Sequence, residues 1–205
     1  MADVTPERVA ANLAEVREEV GPDVRILAAV KYVDVAGLDA LVAGGVTVAG
    51  ENRAQALAEK AAAHPELEWH FIGHLQSRKV KQVLPLVRWI HSVASDSALE
   101  QLGRHGTPET EVLVEVNIAG EEGKSGVAPG ELDAFLERCP AKVVGLMTMP
   151  PLAPDPEDSR RWFAALRELA AARGLPELSM GTTQDYAVAA QEGATIVRVG
   201  TRLIR

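Results

Sequence analysis

Residues 159–200 read SRRWFAALRELAAARGLPELSMGTTQDYAVAAQEGATIVRVG, and the periods within this stretch decide the fold. Trp162, Phe163, Leu166, Leu169 and Ala170 fall on one face of a helix that Gly174 ends. A short apolar run follows, LSMG at 178–181, then a second helical segment from Asp185 to Glu192, then a second apolar run, TIVRVG at 195–200. Strands separated by helices need crossover connections, and crossovers join parallel strands.

The same alternation extends back through the chain. Earlier apolar runs are RILAAV (25–30), VTVAG (46–50), EWHFIG (68–73), RWIHSV (88–93), EVLVEVNI (111–118) and KVVGLM (142–147). Helical segments lie between them at Val35–Ala43, Asn52–Ala63, Gln76–Leu84, Asp96–Arg104 and Pro129–Arg138. A leading helix spans Thr5 to Val20, opened by the cap residue Thr5 with Pro6 behind it and stopped by Gly21-Pro22. The runs are apolar throughout because a parallel sheet is covered on both faces. Eight runs in 205 residues predict a closed (β/α)8 barrel of the TIM type. The rival is an open doubly wound sheet, which often has about five or six strands, and no Gly-rich dinucleotide fingerprint follows the first run here. Only TRLIR follows the last run, so the leading helix is expected to cover that part of the wall. One domain over 1–205 is expected, since APDPED (153–158) is too short to separate two cores.

Hydrophobic residues make up 47% and charged residues 24% of the chain, a globular mix. The formal charge of -8, without clustered Lys or Arg, argues against nucleic acid or anionic lipid as partners. No apolar run reaches the length of a membrane span, and the first residues lack the basic start and apolar core of a signal peptide. The single cysteine, Cys139, has no partner for an internal disulfide. A cytoplasmic monomer with a small-molecule ligand is the expectation.

In such a barrel the chemistry gathers where the strands end. Lys31 ends the first run; among apolar neighbours its amine would lose a proton more easily and attack an aldehyde, although a lysine closing a strand is more often a solvated end. The loops after the seventh and eighth runs, the usual phosphate site, read Gly181-Thr182-Thr183 and Gly200-Thr201; the glycines could also simply make turns. Arg198 interrupts TIVRVG and is expected to point into the barrel mouth, where it needs acceptors; a structural ion pair to a carboxylate is the plainer reading. An amine, a phosphate cradle and an inward arginine together suit a phosphorylated aldehyde, and pyridoxal 5′-phosphate is one.

Three other motifs lead nowhere. Gly123-Lys124-Ser125 lacks the earlier glycine of a phosphate loop, because Ile118 stands there. His70 and His74 span a strand and its end, too far apart to share an ion. Trp69, Trp89 and Trp162 are expected in the core. No metal site is expected.

Ala28-Ala29-Val30-Lys31, Gly50-Glu51-Asn52 with Gln55, Trp69-His70-Phe71-Ile72-Gly73-His74-Leu75-Gln76 with Lys79, Val116-Asn117-Ile118 with Lys124-Ser125-Gly126, Gly145-Leu146-Met147, Leu178-Ser179-Met180-Gly181 with Asp185, and Val197-Arg198-Val199-Gly200-Thr201 also carry a resemblance. Over nearly the whole chain it resembles the pyridoxal phosphate homeostasis protein family, small single-barrel relatives of the alanine racemase N-terminal domain. The resemblance implies that Lys31 carries the cofactor as an aldimine and that Thr183, Gly200 and Thr201 hold the phosphate. It further implies that Arg198 faces the pyridine nitrogen while Asn52 and Met147 line the pocket. Departures are Val30 where Ser or Thr is common before the lysine, Arg78 in place of a frequent asparagine, and Gly-Thr-Thr-Gln-Asp where the family usually has Gly-Met-Ser-x-Asp. The implied function is holding pyridoxal phosphate for intracellular vitamin B6 homeostasis and for apo-enzymes that use it, with no catalytic residue assigned. An arginine keeps the ring nitrogen unprotonated and the ring a poor electron sink. The alternatives are a racemase- or lyase-type enzyme, for which Tyr32 and Tyr186 are the available phenols, and a lysine-dependent aldolase. Tyr32 is expected to point into the barrel wall.

Overall fold

The computed structural model describes residues 4–205. Eight parallel strands close into a barrel in sequence order, β1 Arg25–Ala29, β2 Val48–Glu51, β3 Glu68–Phe71, β4 Trp89–Val93, β5 Glu111–Glu115, β6 Lys142–Met147, β7 Glu177–Thr182 and β8 Ile196–Val199. The helices are α1 Pro6–Val20, α2 Val35–Ala43, α3 Ala54–Ala63, α4 Val80–Val83, α5 Asp96–His105, α6 Leu132–Arg138, α7 Arg160–Ala171, α8 Tyr186–Gln191 and α9 Thr201–Ile204. The open-sheet rival is set aside by the β1–β8 pairing, Arg25 opposite Ile196 through Ala28 opposite Val199.

Two apolar cores follow from strand alternation. Outward side chains such as Ile26, Ala28, Phe71, Ile90, Val112, Val114, Val197 and Val199 pack with the helices into the larger one. Inward Leu27, Val48, Trp89, Leu113, Val144, Met147 and Ile196 form a smaller one inside the barrel. The amino-terminal end of the barrel is closed by charges in pairs, Arg25 to Glu177 at 3.0 Å and Lys142 to Glu111 at 2.7 Å, while Trp89 Nε1 donates to Glu111 at 3.0 Å.

The helices depart from the expected ranges for local reasons. The segment expected as one helix over Gln76–Leu84 is a 3-10 turn at Ser77–Lys79, then α4, then a second 3-10 turn at Leu84–Leu86. Pro85 has no N–H for the carbonyl of Lys81, so the α-helix stops one turn after it begins. The helix expected from Asn52 begins at Ala54, because the N–H groups of Asn52 and Arg53 donate to Glu51 Oε1 at 2.6 and 3.1 Å. On α7, Phe163, Leu166 and Ala170 are buried, whereas Trp162 and Leu169 are half-buried at the edges of that face.

α1 closes the wall beside the short α9. Asn12 Nδ2 donates to the carbonyls of Leu203 and Arg205 at 3.2 and 3.1 Å, Tyr186 donates to Glu19 at 3.0 Å, and Arg202 pairs with Glu15. Among the described residues no helix is long and apolar enough to cross a membrane.

Candidate functional site

Lys31, Asn52, Met147, Thr183, Arg198, Gly200 and Thr201 all line one cavity of about 610 Å³ at the carboxyl ends of the strands. That size is ordinary for a small-molecule site. Ile72, His74, Ser92, Glu115, Met149, Thr182, Gln184 and Ile204 share the lining.

Each side chain is positioned by the element before it. Lys31 sits on the turn after β1, where Val33 N donates to the carbonyl of Val30 at 3.1 Å. Val30 and Val33 fill the wall, and Lys31 is exposed at the mouth, the solvated strand end rather than an amine held among apolar neighbours. The turn ends the strand's alternation, and so corrects the expectation for Tyr32. Its ring is 69% exposed, lines the cavity instead of the barrel wall, and lies 4.9 Å from the Lys31 ammonium. Arg53 Nη2 donates to the carbonyl of Lys31 at 3.2 Å and ties the turn to the start of α3.

Beneath the turn is a group that sequence reading missed. Lys60, in α3, is buried, donates to the carbonyl of Val30 at 2.7 Å and pairs with Glu51, which is itself fully buried. One carboxylate therefore holds the two residues that lead into α3 by their N–H groups and the helix itself by Lys60. In sequence Lys60 looks like one more solvated lysine of an Ala- and Lys-containing helix.

The two loops after β7 and β8 are joined. Gly200 N donates to Thr183 Oγ1 at 3.0 Å, and Thr182 donates from N and Oγ1 to Asp185 at 2.7 and 3.1 Å. Gly181 adopts φ 87°, and a Cβ there would stand 2.5 Å from Ala189 Cβ, so this turn needs glycine on two counts. A Cβ on Gly200 would stand 3.4 Å from the Ala29 carbonyl and 3.8 Å from Thr183 Oγ1. With glycine there, the backbone is left open to the cavity.

Arg198 is buried at the cavity floor. Nη1 donates to Ser179 Oγ at 2.6 Å, and Nη2 to the carbonyl of Thr148 at 2.8 Å and to Met149 Sδ at 2.9 Å. The plainer expectation, a direct pair with a carboxylate, is replaced by neutral acceptors. Burial lowers its pKa to about 10, while the charges of Asp185 and Glu115 act the other way. The guanidinium remains charged at neutral pH.

His70 is buried in the barrel and His74 is exposed at the cavity, so the two are apart as expected. Among the described residues no group of three or more His, Cys, Asp or Glu could hold a metal. Trp69 and Trp89 are buried, and Lys124 pairs with Glu121 in the loop after β5. A second cavity of about 500 Å³ lies next door, sharing Asn52 and His74 and adding Arg53, Gln55, Gln76, Arg78 and Lys79. It gathers signature residues to which the sequence assigns no role.

Residues 4–204 match the family model described as alanine racemase, N-terminal domain. The pyridoxal phosphate homeostasis protein of Aquifex aeolicus is 44% identical over 174 residues, covering 78% of this chain and 76% of that one. That of Pseudomonas aeruginosa is 36% identical over 210 residues, covering 96% and 91%. The chain belongs to the pyridoxal phosphate homeostasis protein family. Among solved structures, PipY of Synechococcus elongatus with pyridoxal phosphate bound superposes on this family member with a TM-score of 0.84 at 31% identity, covering 96% of this chain and 100% of PipY. Alanine racemase from Corynebacterium glutamicum superposes with a TM-score of 0.81 at 15% identity over 62% of its length, a likeness of fold alone.

Proposed function

We propose that this chain holds pyridoxal 5′-phosphate in the 610 Å³ cavity and serves intracellular vitamin B6 homeostasis as a cytoplasmic monomer that keeps or delivers the cofactor to apo-enzymes. The observation that carries the reading is the convergence of one amine, two hydrogen-bonded hydroxyl loops and one buried guanidinium on a single cavity. When bound, the cofactor supplies an aldehyde that condenses with a primary amine and a ring that absorbs visible light.

Lys31 is the amine for that aldehyde, since Lys60 is buried in its ion pair and Lys124 lies in the loop after β5. Thr183 and Thr201 offer hydroxyls to the phosphate, Gly200, whose N–H is given to Thr183, leaves space beside them, and the first N–H groups of α9 lack carbonyl partners within their own helix. Arg198 presents a donor to the pyridine nitrogen, which then stays unprotonated. Asn52 and Met147 form walls.

The same arginine argues against turnover. Racemisation would also need an acid–base group on the face of the substrate opposite the lysine. Tyr186 points to Glu19 on the outside of the barrel, and Tyr32 stands on the turn that carries Lys31. The purified protein should be yellow, and borohydride reduction followed by peptide mapping should place the cofactor on Lys31. Label on Lys79 or Lys124 with none on Lys31 would overturn the assignment. Rapid α-hydrogen exchange with amino acids in heavy water would replace the carrier reading with the racemase one.

A further inference from the structure

Three polar side chains inside the barrel have no part in that reading. His70 on β3, His91 on β4 and Ser179 on β7 are each 0% exposed. Buried polar groups are costly unless they are paired, and these three are paired in a single file. Arg198 Nη1 lies 2.6 Å from Ser179 Oγ, Ser179 Oγ 2.8 Å from His91 Nδ1, His91 Nε2 2.7 Å from His70 Nδ1, and His70 Nε2 3.0 Å from Glu68 Oε1. Glu68 opens β3 at the amino-terminal rim, with its side chain 44% exposed. The file therefore runs along the barrel interior, from solvent at one end to the floor of the cavity at the other.

The ends of the file fix its direction. A guanidinium only donates hydrogen bonds and a carboxylate only accepts them. Burial pushes both histidines below the ordinary histidine range, so at neutral pH each has one donor and one acceptor nitrogen. Glu68 requires the proton of His70 on Nε2, which leaves Nδ1 to accept. His91 must then donate from Nε2 and accept at Nδ1, so Ser179 donates its hydroxyl proton to His91. The Ser179 oxygen is left to accept from Arg198. The opposite direction would set a bare nitrogen lone pair against a carboxylate.

We infer that Glu68, His70, His91 and Ser179 are positioning residues that hold Arg198 as a one-way donor and link its charge to a carboxylate at the far end of the barrel. Every bond in the file points its acceptor towards Glu68, and each donor polarises the next. Arg198 can thus remain charged and fixed beneath the cavity with only neutral acceptors on its own nitrogens. What Arg198 faces rests on the proposed function; the file itself belongs to the protein without ligand.

The test begins on that ligand-free protein, labelled with 15N. Long-range 1H–15N spectra at pH 7.5 should show His70 and His91 both neutral and both protonated on Nε2. Either one charged, or protonated on Nδ1, overturns the inference. In Glu68→Gln the amide can donate or accept, so the direction loses its fixed end and both rings should show mixed tautomers; unchanged single tautomers would show that Glu68 does not set the direction. Ser179→Ala should leave both rings in place but free Arg198, shift the absorption band of the bound cofactor and speed its release about tenfold. Normal tautomers with an unaltered band and release rate in Ser179→Ala would reduce the file to core packing. If the wild-type protein shows the expected tautomers but takes up no pyridoxal phosphate, the proposed function fails and the direction of the file stands.

Discussion

Thr183 accepts the Gly200 amide at 3.0 Å, and a hydroxyl that accepts still has its own hydrogen to give. In the cavity that hydrogen is available to a phosphate oxygen. Thr183→Ala should therefore weaken pyridoxal phosphate by about 1–3 kcal/mol, the usual loss for a hydrogen bond to a charged group, whereas Thr183→Ser should keep most of the affinity. Pyridoxal without its phosphate should bind the wild type far more weakly in a fluorescence titration; equal affinities would show that these loops are only turns. The two barrel histidines make a prediction about pH. His70 and His91 have pKa values pushed down by burial, His91 further by His70, Arg198 and Arg25, while Glu68 opposes the shift at His70 and Arg25 and Arg88 add to it. Below the ordinary value of 6.5 the unfolded chain takes protons that the folded one refuses, so stability is full above that pH and falls as pH is lowered. For a ring that stays neutral in the fold the slope approaches about 1.4 kcal/mol per pH unit. Urea unfolding between pH 7.5 and 5.5 should show the loss, and His91→Gln should lessen it; a flat profile would mean that these rings take protons freely in the fold. Lys31, Thr183 and Arg198 could be read from sequence because each stands at or near the end of an apolar run. Ser179 could not, because a single serine inside LSMG looks like a tolerated small residue.

At the scale of elements, the strands were legible and the helix starts less so. A strand buried on both faces shows as a continuous apolar run, and every such run is a strand of the barrel. The start of α3 is set just ahead of the helix, where the side chain of Glu51, from the preceding strand, accepts from the N–H groups of Asn52 and Arg53. Glu51 is also the partner of Lys60, so α3, β2 and the end of β1 are fastened by one buried ion pair. Removing one member leaves a buried charge alone. Lys60→Met should thus cost about 3–5 kcal/mol in denaturant unfolding, while Glu51→Gln combined with Lys60→Met should cost much less than the two single changes together. Strict additivity would show that the two groups do not act as a pair. Gly73 illustrates a constraint that only the pairing of β2 with β3 reveals. A Cβ there would lie 2.1 Å from the Asn52 carbonyl oxygen, so the end of β3 and the start of the cavity wall meet through bare backbone. Gly73→Ala must push Asn52 away, and should impair cofactor uptake along with stability.

For the whole molecule, the count of runs and the stub at the end anticipated a closed barrel with α1 covering its last wall, but the polar file from Glu68 to Arg198 could not be anticipated. Its members come from β3, β4, β7 and β8, and they meet only once the barrel is closed. Closure also makes the two ends of the chain dependent on each other. Asn12, on the first helix and 8% exposed, donates both hydrogens of its amide, to the carbonyl of Leu203 on the last helix and to that of Arg205 just after it. These are carbonyls that a four-residue helix cannot satisfy by itself. The same short helix brings Thr201 and Ile204 to the cavity wall, so a fastening on the outside of the barrel supports the candidate phosphate site on the inside. Asn12→Ala removes both hydrogen bonds and should cost about 1–3 kcal/mol of stability. It should also raise the dissociation constant of pyridoxal phosphate although Asn12 does not line the cavity, with a smaller effect on pyridoxal, which has no phosphate to lose. Hydrogen exchange should show faster opening at Leu203 and unchanged protection at Leu113 in the core. If affinity is unaltered while stability falls, α9 keeps its place without α1, and the phosphate loops are held from within the barrel alone.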